Sequence, residues 1–174
     1  GIRPEAAAMA AKLVAAGIRL SIFSGDAPAA AARVGAGLDI ADTRGGLSPE
    51  GKHEALKAFQ EAGETVAMVG DGVNDAPVLA QAQVSVAMGG GTELARNQAD
   101  IVLLGEDLGR LAQAVALARR TRRIVRQNLG WAFAYNLSAI PLAMLGWITP
   151  WMAGIGMSAS SLLVVLNALR LQGG

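Results

Sequence analysis

Short apolar runs alternate with helical patterns through the first hundred residues, and one long charge-free run follows them. Pro4 stands at a first helical position, residues 5–16 are rich in Ala, Leu and Lys, and Gly17 closes the pattern. Residues 18–23 are mostly apolar and end in Ser24-Gly25-Asp26, the signature of a strand tip and its loop. An Ala-rich helix is expected to about Gly35. Ser48-Pro49-Glu50 opens another, with Leu56 and Phe59 on one face and Gly63 at its end. Residues 65–69, 84–88 and 100–104 read as further short strands separated by short helices. Apolar strands alternating with helices predict an α/β fold: a parallel sheet covered on both faces. Ligands gather at the carboxyl ends of such strands, where the loops at Asp26 and at residues 70–75 fall.

Asp107 is placed to cap a helix running through Leu111, Val115 and Leu117. Residues 127–169 then carry no charged side chain. Residues 128–148 as a helix measure roughly 32 Å, enough for a hydrocarbon core. Thr149-Pro150 reads as a tight turn and residues 150–171 as a second span. The predicted organisation is therefore a soluble domain (1–107), a basic stalk helix (108–127) and two transmembrane helices (128–148 and 150–171). Arg119, Arg120, Arg122, Arg123 and Arg126 precede the first span and Arg170 ends the second. Positive charge at both ends and none in the turn predicts a multi-pass segment with both ends cytoplasmic. Trp131, Trp147 and Trp151 fall near the expected water–lipid boundaries.

The net charge of +1 hides an asymmetry: all 14 acidic side chains lie at or before Asp107, and every basic side chain after it is an arginine. The arginine run abuts a membrane span and has no interleaved aromatics, which favours topology and lipid contact over nucleic acid. The absence of cysteine excludes disulfides and Cys-based metal sites within these residues. With Gly1 rather than Met in first place, the chain reads as a piece of something longer.

Residues 70–77 read Gly-Asp-Gly-Val-Asn-Asp-Ala-Pro. Phosphoryl transfer needs a divalent cation held by carboxylates, and small residues that let backbone N–H groups approach phosphate. Asp71 and Asp75 supply the carboxylates, Gly70 and Gly72 the room, and Asn74 a donor. Pro77 opens a helix whose N-terminus favours negative charge. Ser24-Gly25-Asp26 alone is an ordinary turn sequence, and Lys52 alone an ordinary helical lysine. Joined to the 70–77 loop at strand ends, Ser24 becomes a hydrogen-bond donor to a phosphoryl oxygen and Lys52 a neutralising cation.

With these segments in place, the chain resembles the C-terminal part of heavy-metal-transporting P-type ATPases, whose phosphorylation domain is of the haloacid-dehalogenase type. The family's Thr-Gly-Asp corresponds to Ser24-Gly25-Asp26, its Pro-x-x-Lys to Pro49–Lys52, and its Gly-Asp-Gly-x-Asn-Asp-x-Pro to residues 70–77. The resemblance implies a Rossmann-like sheet, ATP as donor, Mg²⁺ at Asp71 and Asp75, and Lys52 at the phosphoryl group. Ser24 replaces the usual Thr, Gly51 a usual acid, and Gln83 a common Asp. The nucleophile of Asp-Lys-Thr-Gly-Thr, the nucleotide-binding and actuator domains and the Cys-Pro-Cys helix are expected outside these residues. The chain alone is therefore expected neither to autophosphorylate nor to turn over ATP.

Within the spans, polar groups are costly and usually face other helices or an ion path. Tyr135-Asn136 and Met157-Ser158-Ala159-Ser160-Ser161 are such groups. A thioether suits Cu(I) rather than hard cations. Met157 also serves as a gap filler, Ser160 and Ser161 as small contact residues and Tyr135 as an anchor; residue chemistry leaves both readings open. The resemblance tips them toward copper, since the copper branch carries Tyr-Asn and Met-x-x-Ser-Ser at these places. It implies Cu(I) transport out of the cytoplasm across a bacterial inner membrane, with Tyr135, Asn136, Met157, Ser160 and Ser161 along the ion path. A copper chaperone as partner, and a likeness of the last fifty residues to bacterial pumps that serve cytochrome oxidase assembly, are part of the same expectation. The rivals are a membrane-anchored haloacid-dehalogenase phosphatase and a non-catalytic membrane regulator.

Overall fold

Prolines open most helices in the first part of the chain, because a first-turn residue needs no N–H partner and proline's fixed φ already suits the helix. The computed structural model describes residues 2–70, 75–105 and 107–171. Two units emerge, Gly1–Gln113 and Ala114–Gly174.

In the first unit the helices are α1 (Pro4–Ala15), α2 (Pro28–Leu38), α3 (Pro49–Glu61), α4 (Ala76–Gln81) and α5 (Glu93–Gln98), and α6 begins at Gly109. The strands are β1 (Ser21–Phe23), β2 (Asp42–Arg44), β3 (Ala67–Gly70), β4 (Val84–Met88) and β5 (Ile101–Leu103). All pairings are parallel, as expected. The strands form two ladders, β1–β2 and β3–β4–β5, rather than one continuous sheet.

The core beside the larger ladder is Val86, Met88 and Leu103, with Val69, Leu108 and Leu111 packed on it. Leu56, Val78 and Leu79 are also fully buried. Ser48 caps α3 by accepting the Gly51 N–H at 3.0 Å. Asp107 accepts the Gly109 N–H at 2.8 Å and caps α6 as its position predicted.

Two expectations need correction. The helix expected to stop near Gly35 continues to Leu38 and ends at Asp39 in a left-handed conformation (φ 54). Gly35 is glycine for packing: a Cβ there would lie 2.2 Å from Thr43 Oγ1. The second concerns β2, which pattern reading missed, since Asp-Thr-Arg is short and polar and becomes a strand only by pairing with β1.

The second unit contains most of α6, which runs 36 residues from Gly109 to Met144, and α7 (Pro150–Leu169). α6 stops at Met144, before the expected span end at Ile148. Gly146 adopts φ 76, and the N–H groups of Gly146 and Trp147 reach the carbonyls of Ala143 and Leu142. That is a glycine-dependent helix stop, and it places the turn at 145–149. Among the described residues one helix, α7, is long and apolar enough to cross a membrane, with a mean hydropathy of 1.7. α7 buries none of its side chains fully, leaving Trp151, Ile155 and Leu162 exposed.

α6 and α7 form an antiparallel hairpin. Asn167 Nδ2 donates to Asn128 Oδ1 at 2.9 Å, Trp131 Nε1 donates to Ser160 Oγ at 3.2 Å, and the Tyr135 hydroxyl lies over Gly156.

Candidate functional site

The Ser24 loop follows β1 and is held by the chain that leaves β2. Ser24 N–H donates to the Arg44 carbonyl at 2.9 Å, and Leu47 N–H donates back to the Ser24 carbonyl at 3.0 Å. Gly46 N–H donates to the Asp26 carbonyl at 2.6 Å. Gly45 has no room for a side chain, because a Cβ would sit 2.6 Å from Pro28 Cα. At Gly25 packing makes no such demand: a Cβ there would meet only the Leu47 carbonyl, at 3.5 Å. Inside the loop the Ser24 hydroxyl donates to Asp26 Oδ2 and accepts the Asp26 N–H, both at 3.1 Å. Its side chain is thus oriented by its neighbour two residues on.

Lys52 lies one turn into α3, and its ammonium donates to Asp75 Oδ1 at 2.7 Å. Both side chains are largely buried, 13% and 15% exposed, so Lys52 is not a solvated helical lysine. Asp75 sits at the N-cap of α4 without a capping side-chain bond; its carboxylate turns to the lysine instead. Gly70, the last residue of β3, makes this possible. A Cβ on it would come 3.0 Å from Asp75 Cβ and 3.2 Å from its Oδ2. Asp71, Gly72 and Asn74 lie outside the described residues, so the structure places the loop's ends and not its middle.

The Ser24 loop and the Lys52 helix are joined by aromatic packing that pattern reading did not foresee. Phe23 stacks on Phe59 with centroids 6.0 Å apart and planes 7° off parallel. The Arg44 guanidinium lies 5.3 Å from Phe23, and that of Arg19 lies 5.0 Å from Phe59. Arg19 also pairs with Glu64, and Arg44 with Asp42 at 3.1 Å. Burial pushes the Asp42 carboxyl up, but hydrogen bonds from Ser21 and Arg44 and the charges of Arg44 and Arg19 leave it below its ordinary value.

The junction of β4 with the chain entering β5 is fixed the same way. Ser85 Oγ and N–H donate to Asp100 Oδ2 at 2.7 and 2.8 Å, and Asp100 N–H donates back to Ser85 Oγ at 2.9 Å. These bonds hold the Asp100 carboxyl below its ordinary value. Gln83, where the resemblance leads one to expect Asp, accepts the Val66 N–H at 3.0 Å and extends the β3–β4 ladder. His53 is exposed.

The donors here are oxygens, the chemistry that suits Mg²⁺. Asp75 supplies one carboxylate, with Gly70 giving close access. Among the described residues no cluster of three or more His, Cys, Asp or Glu side chains has the geometry to hold a metal.

In the hairpin the predicted ion-path residues separate into two groups. A Cβ on Gly156 would stand 2.7 Å from the Tyr135 hydroxyl, so Tyr135 crosses closely to α7 just before Met157. Ser160 faces α6 through Trp131. Asn136 bonds back to the Ala132 carbonyl at 2.9 Å, while Met157 is 62% exposed and Ser161 is exposed.

The haloacid dehalogenase-like hydrolase family pattern matches residues 1–83. The cation-transporting P-type ATPase B of Mycobacterium tuberculosis is 44% identical over 171 residues, which is 98% of this chain and 23% of the relative. A copper-exporting P-type ATPase of Staphylococcus aureus is 47% identical over 160 residues, 90% of this chain and 20% of the relative. Among solved structures, a zinc-transporting PIB-type ATPase in its E2.Pi state superposes with a TM-score of 0.92 at 36% identity, covering 98% of this chain and 28% of that one. The catalytic domain of the CPx-ATPase CopB-B gives 0.60 at 39% identity, covering 65% of this chain and 45% of that one. The chain spans about a quarter or less of the length of the curated relatives it matches. From its parallel α/β unit through the apolar hairpin, it belongs with the heavy-metal P-type ATPases and corresponds to one segment of them.

Proposed function

We propose that this chain forms the Mg²⁺- and phosphoryl-binding part, and the closing membrane hairpin, of an ATP-driven pump that moves Cu(I) out of the cytoplasm through an aspartyl-phosphate intermediate. The observation that carries this reading is the continuity of α6. It starts just after β5, the last strand of the phosphoryl-site unit, and runs without a break into the apolar hairpin. A phosphatase needs no such continuation.

At the site, Asp75 would hold Mg²⁺ together with Asp71. The ion supplies charge neutralisation for the transferring phosphoryl group. Ser24 positions a phosphoryl oxygen by turning its hydroxyl proton from Asp26 Oδ2 to the incoming group. Lys52 holds the Asp75 carboxylate in place through their ion pair, and provides a cation for the phosphoryl oxygens. The nucleophile comes from the family's Asp-Lys-Thr-Gly-Thr segment, contributed with the nucleotide-binding and actuator domains by other parts of the same protein.

Residues 128–148 and α7 cross the membrane with both ends cytoplasmic. Cu(I) as cargo rests on the Met157 thioether, on Tyr135 lying against Gly156 one residue before it, and on the lack of any charge in residues 127–169. Zn²⁺ is the competing cargo, because a zinc-transporting ATPase shares the fold.

The test is metal-stimulated phosphoenzyme formation in the full-length protein. Cu(I) should stimulate it and Zn²⁺ should not. Asp75→Asn should lower the Mg²⁺-dependent phosphoenzyme, and Met157→Ala should lower Cu(I) affinity at unchanged protein level. Stimulation by Zn²⁺ alone refutes the cargo; hydrolysis of phosphate monoesters without metal stimulation returns the phosphatase reading.

A further inference from the structure

The closing residues Asn167-Ala168-Leu169-Arg170 are joined to α6 by a run of side-chain bonds that the pump reading leaves unused. The Asn167 amide directs its Nδ2 donors to α6, to Asn128 Oδ1 at 2.9 Å and Gln127 Oε1 at 3.3 Å. Its Oδ1 accepts from Arg170 Nη1 at 3.1 Å, and Asn128 Nδ2 donates to the Val164 carbonyl at 3.4 Å. Nearer the start of α6, Arg120 donates to the Arg170 carbonyl. Arg170 is the C-cap of α7, where carbonyls lack helical partners and a cation meets the negative end of the helix.

Arg120, Ile124 and Asn128 are spaced four apart, so they share one face of α6. Among the described residues Ile124 is the one fully buried side chain of α6 and α7. The tie therefore has an apolar centre with polar bonds on either side. The same face continues through Trp131 and Tyr135, which meet Ser160 and Gly156. α6 begins at Gly109, directly after the phosphoryl-site unit, whereas its covalent link to α7 is the turn at 145–149, at the far end. A displacement entering α6 from Gly109 therefore arrives at these bonds before it arrives at the turn.

We propose that Arg120, Asn128, Asn167 and Arg170 form a clasp that carries α7 along with α6, so that movement of α6 during phosphoryl transfer displaces the ion path on α7. They are positioning residues, acting through the helix they hold and not on phosphate or metal. The inference rests on the pump reading, and not on which metal is carried.

The experiment uses the full-length protein in proteoliposomes, with phosphoenzyme, ATP hydrolysis and metal uptake measured together, using Cu(I) and, in parallel, Zn²⁺. Asn167→Leu keeps the side chain's size and removes every bond of its amide. It should retain metal-stimulated phosphoenzyme while metal carried per ATP falls about fivefold, the shift expected from losing one net hydrogen bond. Arg120→Gln should act in the same direction. It lies outside the charge-free run, which covers the case where Asn167→Leu fails to assemble. Arg120→Lys still donates to one carbonyl and should stay close to wild type. Asn128→Leu/Asn167→Leu should fall no further than Asn167→Leu, because the two side chains share one bond. An unchanged ratio in both Asn167→Leu and Arg120→Gln overturns the clasp. Hydrolysis and uptake falling together at a constant ratio assigns these residues to stability alone and overturns it too, as does an additive loss in the double variant. A wild type stimulated by neither metal refutes the pump reading itself and takes this inference with it.

Discussion

Removing one member of the Lys52–Asp75 pair exposes how much the site depends on it. At 2.7 Å the gross attraction is about 6 kcal/mol at an effective dielectric constant of about 20. Most of it is cancelled by desolvating both ions. Exposed pairs net about 0–1 kcal/mol, and breaking fully buried ones costs about 3–5 kcal/mol. With 13% and 15% of the side chains exposed, and one short charged hydrogen bond, the coupling should be about 2 kcal/mol. Lys52→Met leaves a carboxylate mostly out of water, and Asp75→Asn leaves an ammonium in the same position. The double variant leaves neither. Hydrogen exchange of the β3 and α4 amides in EDTA reads the local opening free energy without assuming two-state unfolding of the whole protein. Each single variant should lose protection by roughly 30-fold, and the double variant should lose no more than either single one, where additive losses would give roughly 1,000-fold. Mg²⁺ should restore protection to Lys52→Met, because a dication takes the ammonium's place beside Asp75. Additive losses, with a coupling below about 0.5 kcal/mol, would refute the reasoning.

Three further outcomes follow from distances already given. Gly35→Ala places a Cβ 2.2 Å from Thr43 Oγ1 and 3.0 Å from the Ile40 carbonyl, and should cost about 1–3 kcal/mol in thermal or denaturant unfolding, with Thr43→Ala recovering part. Gly156→Ala should displace the Tyr135 hydroxyl and lower Cu(I) affinity at unchanged expression, with a smaller effect in a Tyr135→Phe background; unchanged affinity makes Tyr135 an anchor only. Asp100 has a lowered carboxyl pKa in the folded state, against an ordinary value of 3.8. Its contribution to stability is therefore present above about pH 4 and is lost as pH falls through the lower folded value. Ser85→Ala should flatten that acid limb, measured as exchange protection of β4 amides between pH 5 and pH 2 (about the range over which such a group titrates).

What was legible in the sequence was what local chemistry dictates. Prolines and Ser48 marked helix starts, β4 matched its expected bounds of residues 84–88, and Lys52 with Asp75 was named from the pattern of a phosphate site. What stayed hidden depends on partners far along the chain. β2 is three polar residues with no periodicity, and only its register against Ser21, Ile22 and Phe23 makes it a strand. The Phe23–Phe59 stack joins residues that are unremarkable apart. Ser85 and Asp100 read as ordinary polar residues until a ladder sets them side by side. Gly35 read as a stop because its true reason, the Thr43 hydroxyl, comes from another element. In the hairpin, the split of the proposed ion-path residues into inward Tyr135 and Ser160 and outward Met157 and Ser161 follows from helix phase. That phase was fixed by the partner helix, not by composition.

The contacts across the hairpin also dictate an order of assembly. Tyr135 over Gly156 closes the shortest loop, Trp131 to Ser160 spans 29 residues, and Asn128 to Asn167 spans 39. Each contact, once made, leaves the next only a short stretch of chain to bring in. Doubling a loop costs only about 0.6 kcal/mol of closure entropy, so the longest of these contacts adds less than that over the shortest. The hairpin can therefore zip from the turn at Gly146 toward its polar end, with Asn167 as the final latch. A chain truncated before Asn167 would keep the partners of the Tyr135 and Trp131 contacts but lack the bond that secures its ends.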